Sequence, residues 1–134
     1  GRIFGSYSYG EGLGFKLFNT PLLIGINWVL LVYCSAVITD RTALPDIMKI
    51  LISSSIMVVY DLILEQAAPE MDMWSFEGGQ VPFRNYYAWF LLAVIFHSLL
   101  KLTGIKLMNR IAPFVLYTHA FFFVILTIFF KLAE

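Results

Sequence analysis

Asp61 and Glu65 close a long apolar run at a spacing of four, which puts both carboxylates on one face of a helix. On the insertion scale a carboxylate at the bilayer centre costs roughly 2.5 to 3.5 kcal/mol, so acids in such a run need a reason. Two of them on adjacent turns in a poorly solvated place do not easily both ionise, so one is expected to keep its proton and serve as an acid. The competing structural reading is an ion pair with Arg84 or Lys16 that ties a loop to the helix end. Asn27, Trp28, Trp74, Asn85, Trp89 and Tyr9 are the polar and aromatic residues best suited to surround the pair. Together they fit acid chemistry on an uncharged, lipid-soluble substrate.

Other chemistries lack their parts. His97 and His119 lie in separate apolar runs without a carboxylate or cysteine at metal-ligand spacing, so each is expected to be a hydrogen-bonded core residue and no metal is called for. Gly5, Gly10, Gly12 and Gly14 follow no strand and open no phosphate-binding helix, and Ser53-Ser54-Ser55 has no nucleophile elbow. Cys34, the single cysteine, lies inside an apolar run and reads as small core packing.

The elements that must position the acid pair follow from composition. Of 134 residues, 60% are hydrophobic and only 13% charged, too little polar surface to cover a water-soluble globule. The net charge of zero gives no reason to expect nucleic acid. Hydropathy predicts an all-α, polytopic membrane bundle of four helices, over about 19–39, 47–66, 86–102 and 111–130. Pro21 is placed in the first turn of the first helix, and Asn27 is expected to face the bundle. Lys49 is expected to snorkel, and the serines at 53–55 to permit close helix contact. The glycine- and aromatic-rich segment before residue 19 is expected to anchor at the membrane interface, with Tyr7 and Tyr9 alternatively lining a site mouth. The loop 67–84 carries Met71, Met73, Trp74 and Phe76, which are too apolar for water, so it is expected to fold back over the bundle. Lys and Arg balance weakly favours the first and third turns as cytoplasmic. The start at Gly1, with no methionine, suggests one membrane domain whose upstream helices are missing.

Asp61-x-x-x-Glu65, Trp74-Ser75-Phe76, Val81-Pro82, Asn85 and Trp89 resemble the carotenoid biosynthesis membrane family that includes carotenoid 1,2-hydratases of the CruF type. Ile3-Phe4-Gly5-x-Tyr7-x-Tyr9-Gly10 and Pro21-Leu22-Leu23-Ile24-Gly25-x-Asn27-Trp28 are similar to its Bacteroidetes-like branch. Gln66 and Phe76 depart from that pattern, where proline and tryptophan would be expected. The resemblance implies cofactor-independent hydration of the terminal 1,2 double bond of an acyclic, lycopene- or gamma-carotene-like end group, in a bacterial cytoplasmic membrane. Asp61 and Glu65 would be catalytic, and the asparagines, tryptophans and Tyr9 would hold substrate. A cyclase-like end-group enzyme, a proton- or ion-coupled carrier and a structural subunit stay open as alternatives.

Overall fold

Prolines set where the helices begin. In the computed structural model, which describes residues 7–133, Pro21, Pro45 and Pro82 immediately precede α1 (Leu22–Asp40), α2 (Asp46–Ala67) and α3 (Phe83–Leu102), and Pro113 is the second residue of α4 (Ala112–Ala133). Proline suits these positions because its fixed φ leads into a helix and its missing N–H is not needed in the first turn. The helices hold 19 to 22 residues, each apolar enough to cross a membrane. At 1.5 Å per residue they measure about 28 to 33 Å, the thickness of a hydrocarbon core. The protein is thus an integral, multi-pass, all-α membrane protein. Gly104, at φ 67°, takes the left-handed position beyond the end of α3.

The first helix starts later than expected. Lys16–Leu17 (β2) and Thr20–Pro21 (β3) pair as a hairpin whose turn residues, Phe18 and Asn19, both have positive φ, so Pro21 lies outside the helix. The start of α3 moves three residues earlier, onto the residue after Pro82.

α2 packs on all three other helices, and α1 packs on both α2 and α4. Small polar residues let them approach and then satisfy one another. Ser53 Oγ lies 2.8 Å from Thr39 Oγ1, and His97 Nε2 lies 2.9 Å from Ser35 Oγ. His97 is the core histidine expected of it. At the same end, Asp40 joins Lys101 and lies 3.9 Å from Lys49, while Lys101 also reaches Asp46 at 3.4 Å. Lys49 therefore pairs within the protein, where snorkelling was expected.

At the opposite end the loop does fold back. Its strand Trp74–Phe76 (β4) pairs antiparallel with Tyr7–Tyr9 (β1), matching Tyr7 with Phe76 and Tyr9 with Trp74. Alternation along both strands turns these four rings to one face and leaves Ser8 and Ser75 exposed on the other. The segment expected to be an interfacial anchor is, over its described part, half of a lid; residues 1–6, including Ile3-Phe4-Gly5, lie outside the described residues.

Two backbone bonds and one to a side chain hold the lid together: Gly10 N–H to Met73 O at 3.0 Å and Gly12 N–H to Asp72 O at 2.9 Å, with Glu11 N–H to the Asp72 carboxylate Oδ2 at 2.8 Å. A Cβ on Gly10 would collide with the Asp72 carbonyl and carboxylate, and one on Gly12 with the Met71 carbonyl. Gly10→Val and Gly12→Val are therefore expected to unseat the lid, at about 1 to 3 kcal/mol each. Limited proteolysis should cut the loop 68–82 faster in both. Gly25→Ala, which meets nothing on the outer surface of α1, should cut no faster than the parent.

Candidate active site

Beneath the lid, the four helices enclose a cavity of about 230 Å³. α2 supplies its acid wall. Asp61 is 3% exposed and lines the cavity, with Tyr60 and Leu64 beside it. Glu65, one turn on, is 6% exposed but is not a wall residue; its Oε2 accepts a 3.0 Å bond from Trp74 Nε1. The spacing of four does put both acids inside the bundle, but only Asp61 opens onto the cavity.

Neither carboxylate meets a cation among the described residues. Among the described residues no lysine or arginine lies within ion-pair distance of either; Arg84 is exposed, and Lys16 pairs with Glu11 at 2.8 Å. The tie between loop and helix end is the Trp74–Glu65 bond, where an ion pair was the competing expectation. Asp61 Oδ2 and Glu65 Oε1 are buried without a hydrogen-bond partner among the described residues. Stability alone gives no reason to bury a carboxyl in this way, so the arrangement points to chemistry.

The remaining walls converge on Asp61. α1 supplies Asn27 and Trp28, and α3 supplies Asn85 and Trp89. Asn85 is 1% exposed, and neither its Oδ1 nor its Nδ2 has a protein partner. Trp28 meets Trp89 edge-to-face, with centroids 5.8 Å apart. The lid adds Tyr9 and Trp74, and the Tyr9 hydroxyl lies 3.3 Å from that of Tyr7. Burial, and then this contact, push the Tyr9 phenol above its ordinary range, so it stays neutral and able to donate.

Every site residue expected from the sequence except Glu65 therefore lines one cavity, and Glu65 stands behind Trp74. Tyr7 lines it too, as the alternative reading of its segment had it, and so do Tyr60 and His119, which were not among those expected. His119 departs from its expected role, because its buried Nδ1 has no protein partner and its ring stands 6.4 Å from that of Tyr60. Facing serines distinguish His97 from His119, and sequence spacing alone does not reveal which histidine faces them.

A comparison along the whole chain identifies the family. The sequence profile described as "Carotenoid biosynthesis protein" matches residues 1–133. The chain belongs to the carotenoid biosynthesis protein family. No curated protein and no solved structure matches it. Membership gives this carotenoid biosynthesis protein a role in making carotenoids and a carotenoid-type substrate. The cavity suits such a molecule in character, since its walls are mostly apolar and aromatic with few polar groups. At about 230 Å³ it is smaller than the ~300–1,000 Å³ clefts that enclose drug-sized ligands, and has room for one end of a polyene but not for its length.

Proposed function

We propose that the protein adds water across the terminal 1,2 double bond of an acyclic carotenoid end group in the bacterial cytoplasmic membrane. The observation that carries this reading is Asp61: a buried carboxyl without a counter-charge among the described residues, on the wall of an apolar cavity sized for an end group. Its proton goes to the less substituted alkene carbon, whose π pair forms the new C–H bond and leaves a tertiary cation. The faces of Trp28, Trp74 and Trp89 stabilise that cation by about 0.5 to 2 kcal/mol each. Water then forms the C–O bond and returns a proton to the Asp61 carboxylate. One water is gained and nothing is oxidised or reduced. Glu65, one helical turn behind Asp61, acts as a positioning residue by holding the Trp74 indole, whose ring lines the cavity.

A cyclase-like reaction would begin with the same protonation and end by losing a proton from carbon. Asn85 favours hydration, because its amide, buried in the cavity wall without a partner among the described residues, offers both a donor and an acceptor to a water. The test is expression in a lycopene-accumulating host with mass spectrometry of the pigments. Gain of the mass of one water supports hydration, an unchanged mass with a cyclic end group supports the cyclase, and unaltered lycopene sinks both.

A further inference from the structure

We infer that the polyene chain of the substrate leaves the cavity sideways into the bilayer, through the seam between α1 and α4 at Leu23 and Ile26. The inference takes its substrate from the hydration reading above. A cavity sized for an end group forces the rest of a stiff apolar chain out somewhere; no α2 residue that lines it is exposed, which leaves three edges open to question. The lid edge is covered, since β4 lies across it with Trp74 7% exposed. The α1–α3 edge is filled by aromatic rings, with Trp28 packed edge-on against both Trp89, at 5.8 Å, and Phe96, at 5.9 Å.

The third edge is different. Among the described residues lining the cavity, Leu23 and Ile26 alone are largely exposed, at 49% and 56%. They touch the end-group space on one side and the bilayer's hydrocarbon on the other. Helical spacing says which neighbour they face. Residues 23, 26, 30 and 33 form one stripe of α1. At its far end the Tyr33 hydroxyl accepts a 3.1 Å bond from Asn109 Nδ2, and Asn109 Oδ1 caps the start of α4 by accepting from the Ile111 and Ala112 N–H groups. Trp28 and Ser35 lie on a different stripe, which faces Trp89 and His97 of α3. The exposed pair therefore borders α4, whose Phe123 and His119 form the cavity wall behind it. The occupant is a long conjugated hydrocarbon, because a lipid-dissolved polyene meets no polar barrier there and a carotenoid already resides in that solvent.

The experiment compares Leu23→Trp and Ile26→Trp with Ile95→Trp, which is equally lipid-facing on α3 at 53% exposure but lines no cavity. Two readouts are taken on the full chain in membranes: lycopene retained per protein through purification, and product formed. The seam variants should lose retention and fall about tenfold or more in lycopene hydration, while Ile95→Trp stays within about twofold. A short acyclic alkene with the same terminal group should still be hydrated by the seam variants within about threefold of the parent, since it fits wholly inside. Retention tests the seam without any reaction, so a parent that binds lycopene but does not hydrate it would discard the hydratase and keep the port. Normal retention in Ile26→Trp, its loss in Phe96→Ala instead, equal damage in Ile95→Trp, or loss of the short substrate too would each overturn the port. So would covalent pairing of two copies through Ile26→Cys in a Cys34→Ala background, which would show a second copy covering the seam.

Discussion

Asp61→Asn is expected to lower hydration by about three orders of magnitude while the protein still inserts and folds, because the amide keeps the volume but cannot deliver a proton. The surroundings make folding safe to predict: Asp61 neutralises no cation among the described residues, so its replacement strands no buried charge. Glu65→Gln should cost much less, about tenfold, since Glu65 lies off the cavity wall and a glutamine oxygen still accepts from Trp74 Nε1. Glu65→Leu should cost more than Glu65→Gln and should also lower stability by about 1 to 3 kcal/mol, because the Trp74 N–H is left buried and unpaired. Arg84→Met and Lys16→Met are the controls and should leave both quantities near parental values. A structural ion pair would instead make either change cost up to about 3 to 5 kcal/mol. Product per folded protein and thermal stability, measured on the same preparations, separate these outcomes. Parental activity in Asp61→Asn would end the mechanism proposed here.

The ease of reading this chain follows how local each signal is. Uncharged runs punctuated by Pro21, Pro45, Pro82 and Pro113 announce four spans, because helix length and helix start are properties of neighbouring residues. The apolar content of Met71, Met73, Trp74 and Phe76 likewise announces that their loop needs shelter. What shelters it is not local: Tyr9 pairs with Trp74 across more than sixty residues, and nothing in either strand's sequence names the other. The difference between Asp61 and Glu65 is hidden for the same reason. Their spacing places them on one helix face, and only the lid's arrival, bringing the Trp74 indole to Glu65, leaves one acid on the cavity wall and the other behind it. His119 is a third case. It looks like His97 in sequence, but serines of α1 and α2 meet one ring, and the other meets a cavity.

Asn85→Leu is expected to raise stability and abolish most activity together, a combination that separates a working group from a structural one. Asn85 sits in the first turn of α3, where an asparagine often earns its place by bonding free backbone N–H groups. Here the side chain makes no such bond, and its backbone N–H is already satisfied by Pro82 O at 2.8 Å. Two amide atoms are thus buried at 1% exposure without a protein partner, each worth about 1 to 3 kcal/mol of desolvation. Leucine has the same branched heavy-atom skeleton and no polar atoms, so thermal unfolding in detergent should occur at higher temperature. Hydration should fall about a hundredfold, because the water loses the group that orients it toward the cation. Asn85→Gln should recover neither quantity, since the longer amide overfills the wall. A leucine variant that is less stable and fully active would make Asn85 a packing residue with a hidden partner, and would leave Asp61 without the neighbour that distinguishes hydration from cyclisation.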